Sequence, residues 1–164
     1  MDSQKYAHQE DEQRFLVAEL PETTTSPRLI EDRYLVGTRL RLRRVSGIGA
    51  PIAKLGHKVK VSDAGPSAVW HTSMYLDDAE FAALEALPAM TVSKRRWVLP
   101  DGGSADEFLG DLEGLILIEG DRPMAAPRDA VEVTDDVRFT GGELAALARD
   151  AARSFVTEAR RRLP

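Results

Sequence analysis

The chain has 164 residues, 43% hydrophobic and 30% charged, which suits one folded domain spanning residues 1–164 rather than a disordered chain. Its formal net charge of -5 argues against general nucleic-acid binding, and the lack of cysteine excludes disulfides, thiol nucleophiles and thiolate zinc sites. No apolar run approaches the roughly 18 residues needed to cross a bilayer, and residues 1–12 lack the basic-then-apolar order of a signal peptide, so a cytoplasmic protein with no membrane partner is expected.

Residues 10–17 suggest a strand that grows apolar toward its end. Side chains alternate across a strand, so Glu10, Glu12 and Arg14 share one face, as solvated charges or as a metal-binding edge. Two prolines and three threonines between positions 21 and 27 mark a loop. Residues 28–36, with Leu29, Ile30, Tyr34, Leu35 and Val36, form the next strand, and Gly37 can turn it into another. In that following strand Arg39, Arg41 and Arg43 line one face while Leu40 and Leu42 line the other. Guanidiniums in a row repel one another and become favourable where an anion or carboxylates stand opposite. The alternative is a solvated edge strand kept charged against aggregation.

The pattern repeats in residues 52–61, where Lys54, Lys58 and Lys60 share a face and Leu55, Val59 and Val61 take the other. A turn at 63–66 leads to a strand over 68–76 with His71, Ser73 and Tyr75 on one side. Asp77 or Asp78 can cap a short helix buried along Phe81, Leu84 and Leu87 and stopped by Pro88. Residues 90–99 give a third basic strand through Lys94 and Arg96, with Trp97 turned away. A brief strand over 105–108 and an apolar one over 114–121 follow, the latter placing Glu119 and Asp121 on one face. Residues 131–133 can pair briefly with a neighbour. A final helix over 141–162 has Thr140 and Glu143 spaced as a capping box and an apolar stripe of Leu144, Leu147, Ala148, Ala151 and Phe155.

About eight strands joined mostly by short turns, with two clear helices, predict an α+β fold whose antiparallel sheet protects its edges by curling into a barrel. If the apolar faces pack against helices, the charged faces line a wet interior suited to polyphosphate and metal. Competing constellations are weak: there is no P-loop and no G-x-S-x-G, and His8, His57 and His71 lack close metal-ligand spacing.

These residues resemble the CYTH superfamily of triphosphate tunnel metalloenzymes, which includes class IV adenylate cyclases, thiamine triphosphatases and inorganic triphosphatases. The resemblance covers nearly the whole chain. The family's E-x-E-x-K signature and apolar triplet look like Glu10, Glu12 and Arg14 before Phe15-Leu16-Val17, with arginine in place of lysine. Its R-x-R strand resembles Arg39 and Arg41, its T-x-K strand Gly56-His57-Lys58, and its K-x-R strand Lys94 and Arg96. Asp106 resembles the acid of a V-D-x-F segment, Glu119 with Asp121 resembles a late E-x-E pair, and Val133-Thr134-Asp135 with Phe139 resembles a closing E-V-T segment.

The resemblance implies an eight-stranded antiparallel β-barrel tunnel with a few flanking helices, including a C-terminal one. It also implies hydrolysis of a small inorganic or organic triphosphate with Mg2+ or Mn2+, by a monomer or homodimer. Glu10, Glu12 and Lys94 would be catalytic, and Arg14, Arg39, Arg41, Lys54, Lys58, Lys94 and Arg96 would bind substrate. Glu10, Glu12, Asp106, Glu119 and Asp121 would hold metal. An adenylate cyclase and a non-catalytic polyphosphate or nucleotide sensor are the alternatives. The chain departs from the family where His71 and Ser73 stand in place of an acidic pair, which leaves the number of metal ions open. Fewer acids and an imidazole favour Mn2+ over Mg2+.

Overall fold

A computed structural model describes residues 5–22, 25–61 and 67–164. The turn expected at 63–66 lies outside the described residues, as do two of the loop threonines. Nine strands form: β1 (His8–Leu16), β2 (Arg28–Leu35), β3 (Leu40–Ser46), β4 (Ile52–Lys60), β5 (Ala68–Leu76), β6 (Ala89–Val98), β7 (Ser104–Phe108), β8 (Ile116–Asp121) and β9 (Val131–Glu132). The sheet runs β5-β4-β3-β2-β6-β7-β8-β1, and β5 pairs back onto β1 to close an eight-stranded antiparallel barrel. Closure removes the free edges that so many charged strands would otherwise leave to solvent. β1 makes closure possible by dividing one edge between two partners: His8 to Asp11 pair with β5, and Phe15 and Leu16 pair with the short β9.

The helices are α1 (Asp78–Glu85), α2 (Gly141–Ala146) and α3 (Arg149–Arg160), with 3-10 turns at Gly110–Leu112 and Val137–Phe139. In α1 the Asp77 carboxylate accepts from Glu80 N at 2.8 Å while Glu80 accepts from Asp77 N at 2.9 Å, a reciprocal cap. Phe81 is buried beneath the Arg44 guanidinium, but Leu87 is 44% exposed because the helix has ended before it. The expected stripe is therefore narrower than the sequence suggests.

The C-terminal helix is interrupted. Leu147 and Ala148 are extended, with ψ of 127° and 155°, so α2 packs on β6 while α3 packs on the 3-10 turn at Gly110–Leu112. Thr140 caps α2 without a side-chain hydrogen bond, so the expected capping box does not form. β8 likewise starts later than expected, because Gly114 has a φ of 93° that an extended strand does not allow.

The inward face changes character along the barrel. Arg14, Glu119, Asp106 and Lys94 each share a strand face with an apolar neighbour two residues away: Leu16, Leu117, Phe108 and Val92. Those four pack into one buried cluster with Phe139, Leu144, Phe155 and Val156, so α2 and α3 seal an apolar end of the barrel. Fully burying a side chain of this size contributes roughly 1.5–3 kcal/mol. Phe15, Val17, Ala105, Ile116 and Ile118 form a second cluster beneath Leu20, Trp97 and Met124. Among the described residues no helix is long and apolar enough to cross a membrane.

Candidate functional site

Alternation along the strands turns Glu10, Glu12 and Arg14 of β1, Tyr34 of β2, Arg41 and Arg43 of β3, and Lys58 and Lys60 of β4 into one cavity of about 360 Å³. His71 of β5, Lys94 and Arg96 of β6 and Glu119 of β8 complete the wall, and residues 140–143 at the start of α2 also line it. Seven lysines and arginines thus face four glutamates in a chain whose net charge is -5. The cationic excess is local, as expected for a site that concentrates an anion.

Most of these charges are held in three groups. In the first, fully buried Asp106 accepts from Lys94 Nζ and, through both oxygens, from Arg96 Nε and Nη2. Arg96 Nη2 also reaches Glu119 at 3.2 Å, and Arg14 Nε donates to Glu119 at 2.6 Å. Burial opposes charge on Glu119, but Arg14, Lys94 and Arg96 outweigh it and hold the carboxyl well below its ordinary range. Lys94 shifts the other way: burial pushes its ammonium down despite the Asp106 carboxylate.

In the second group, Asp32 of β2, 2% exposed, receives Arg43 Nε and Nη2 at 2.6 and 2.7 Å, with Arg41 Nε at 3.8 Å. Burial would raise the Asp32 carboxyl, but the hydrogen bonds and charge of Arg43 lower it to about 2. In the third, Glu10 accepts from Lys58 Nζ at 2.7 Å and from His71 Nδ1 at 2.6 Å. Burial is again outweighed, by the His71 bond and the Lys58 charge, and the carboxyl falls to about 2.

Glu12 has no ion pair among the described residues. Burial, then the nearby Glu119, push its carboxyl up, and Glu10 adds to the effect against the opposing pull of Lys58 and Arg14. A cation placed beside Glu12 would relieve that repulsion.

The cavity gathers Glu10, Glu12, Arg14, Arg41, Lys58, Lys94, Arg96 and Glu119. Four other sequence-derived candidates lie elsewhere. Arg39 precedes β3 and is exposed, since the strand begins only at Leu40. Lys54 is on the inward face but lies against the Tyr75 ring, 4.9 Å from its centroid and outside the cavity. Asp106 is behind the cavity surface, saturated by Lys94 and Arg96. Asp121 is exposed at the end of β8. His71 faces the cavity, whereas Ser73 is exposed and outside it.

Sequence reasoning passed over Asp32, Tyr34 and Glu143 as site residues. The alternation of Ile30, Asp32 and Tyr34 was the available signal for the first two. Tyr34 lies against Gly141, where any Cβ would collide with its hydroxyl, so glycine allows the start of α2 to approach β2.

Mg2+ commonly rests on one or two carboxylates plus substrate phosphates and water. Among the described residues no three histidine, aspartate or glutamate side chains converge as a complete metal site. Unpaired Glu12 beside Glu119 and Glu10 nevertheless fits the mode in which phosphate oxygens supply the rest of the shell.

No protein-family model matches the chain, and no curated protein does. Solved structures do. A crystal structure of the inorganic triphosphatase NE1496 aligns with a TM-score of 0.52 at 23% identity, covering 85% of this chain and 95% of that one. A second structure of NE1496, described as a hypothetical protein, aligns at 0.51 and 24% identity over 84% of this chain and 98% of that one. PH1819 from Pyrococcus horikoshii OT3 aligns at 0.50 and 12% identity over 94% and 89% of the two chains. At these identities the likeness establishes a shared fold.

Proposed function

We propose that this chain is a divalent-metal-dependent hydrolase of a small triphosphate compound and a distant member of the CYTH superfamily. The observation that carries the reading is the cationic cavity, which holds a half-buried carboxylate, Glu12, with no ion pair among the described residues. Arg41, Lys58, Lys94 and Arg96, assisted by Arg14, would neutralise the phosphoryl oxygens and spread the charge that develops on in-line transfer to water. Asp106 would act by fixing Lys94 and Arg96. Arg39, Lys54 and Asp121 lie outside the cavity, and of these the two cations would favour the approach of an anion.

Glu12 would hold the divalent ion, Mg2+ or Mn2+, with Glu10 and Glu119 nearby. When bound, that ion supplies Lewis-acid polarisation of the terminal phosphoryl group. Fold likeness to an inorganic triphosphatase supports the substrate class without choosing among its members.

A polyphosphate sensor is the second reading, favoured by the prior commitment of Glu10 and Glu119 to cations. Phosphate release from inorganic tripolyphosphate and a panel of nucleoside triphosphates, each with Mg2+ and Mn2+, separates the two. Metal-dependent turnover of at least one compound is expected. Tight calorimetric binding with no release under any condition would leave the sensor in its place.

A further inference from the structure

Two buried nitrogens of residues that line the cavity, Arg41 Nε and His71 Nε2, have no hydrogen-bond partner among the described residues. The third such atom among the described residues, Arg33 Nε, belongs to a residue outside this cavity. A buried polar atom without a partner is costly, so two on one wall mark where a ligand would restore what is missing.

Both residues converge on Gly56. It pairs with Arg41 across the β3–β4 ladder, and a Cβ at Gly56 would stand 3.0 Å from His71 Nε2 and 3.6 Å from Arg41 Nη2. Any larger residue would fill the space between them. The His71 ring is not free to turn away, because Nδ1 is bonded to Glu10, itself held by Lys58. Glu10 is a carboxylate with two cationic or donating neighbours, so the hydrogen of that bond sits on Nδ1 and Nε2 is left beside Gly56 without a partner. The opposite wall offers no such opening: Lys94, Arg96 and Arg14 are already bonded to Asp106 and Glu119.

The geometry points to a subsite above Gly56, between His71 Nε2 and the Arg41 guanidinium, that takes the terminal phosphoryl group of a polyphosphate chain. It rests on the cavity being a polyphosphate site and adds to that reading a binding role for His71 and a means of recognising the chain end. A terminal phosphoryl group can carry a last proton, with a pKa of about 6, whereas an internal phosphodiester-like group has none. One hydrogen therefore bonds Nε2 to a terminal oxygen, whichever of the two atoms carries it, while Arg41 donates to a second oxygen. An internal phosphoryl group has no proton to give an unprotonated Nε2, and it offers two unbridged oxygens where the chain end offers three.

Linear tripolyphosphate and cyclic trimetaphosphate test the proposal, because the ring has three phosphoryl groups and no end. Calorimetric titration of both into the parent, with and without Mg2+, should show linear bound at least about tenfold more tightly, the scale of one charge-assisted hydrogen bond. Gly56→Ala closes the subsite without removing a charge, and His71→Asn can keep the bond to Glu10 while losing Nε2. Each should weaken linear tripolyphosphate about tenfold and leave the ring unchanged. In turnover the loss should fall on KM, and His71→Gln, which returns a polar atom near Nε2, should recover part of it. Should Gly56→Ala fail to fold on thermal melting, the His71→Asn and His71→Gln pair decides the matter. An equal loss for line and ring would make His71 a structural support of Glu10 and overturn the subsite, as would variants that keep the parent's preference. If the parent hydrolyses tripolyphosphate under those outcomes, the proposed activity stands without the subsite. A parent that neither binds nor hydrolyses tripolyphosphate overturns both.

Discussion

On the wall built from β6, β7, β8 and β1, Lys94, Arg96 and Arg14 join Asp106 and Glu119 in an unbroken run of ion pairs. Across the barrel, β3, β4 and β5 present Arg41 and His71 with unpartnered nitrogens, and Lys60 has no ion pair among the described residues. The same residue types thus serve different ends. Charges removed from water cost several kcal/mol each unless paired, so the first wall is structure as much as site. The second wall leaves Arg41 Nε and His71 Nε2 with no existing bond to lose. Glu12 lies between these regimes as the carboxylate that neither wall neutralises.

The strongest way to break this comparison is to remove a central anion from the closed wall. Asp106→Ala leaves Lys94 and Arg96 without their shared buried counter-charge and should cost about 3–5 kcal/mol of stability, measured by urea unfolding. Arg41→Ala on the open wall should instead leave the unfolding free energy within about 1 kcal/mol of the parent, since its ion pair to Asp32 spans 3.8 Å and Arg43 keeps that carboxylate bonded through both oxygens. A loss as large as that of Asp106→Ala would show that the two walls do not differ.

Glu12→Gln should reduce metal-dependent turnover on the order of a hundredfold or more, as expected when a metal-holding carboxylate is lost. The same change should hold or raise the melting temperature near neutral pH, because it removes a half-buried carboxylate that Glu119 and Glu10 repel. A lower melting temperature with unimpaired turnover would contradict both expectations.

Acid should weaken the paired carboxylates. Glu10 and Asp32 sit at about 2 in the folded chain against ordinary values of 4.5 and 3.8. A carboxyl whose folded value is depressed stabilises fully above its unfolded value and loses that contribution as pH falls toward the folded one. Urea midpoints should therefore decline between about pH 4.5 and 2, and Glu10→Gln should flatten the decline. Smallest of all, Asp77→Ala, far from either wall, should cost about 0.5–2 kcal/mol through the α1 cap with no change in ligand affinity.

Much of the architecture is legible in local alternation. The faces holding Glu10, Glu12 and Arg14, Arg41 and Arg43, Lys58 and Lys60, and Lys94 and Arg96 follow from a period of two, and so many charged strands demand a closed sheet. Alternation gives the face and not the depth along the barrel, which is why Lys54 and Asp121 share the inward face yet lie outside the cavity. Nor does it give partners: Arg14 meets Glu119 across 105 positions, and Asp106 is sealed by residues on another strand. Asp32 shares its face with Ile30 and Tyr34, which read as a core face, yet opposite Arg43 it forms a buried bidentate pair. The break between α2 and α3 carried no glycine or proline signal, because tertiary packing on β6 and on the 3-10 turn sets it.

The most direct test follows one sample of the parent through two additions. Tripolyphosphate titrated into the chain with chelator present should release heat of binding and no phosphate, since the open wall needs no metal to meet an anion. Adding Mg2+ or Mn2+ to that mixture should then start phosphate release, and Glu12→Gln should bind without releasing. Absence of binding heat from the parent, or release that is equally fast with chelator and in Glu12→Gln, would contradict the assignment of this tunnel as a metal-dependent triphosphatase site.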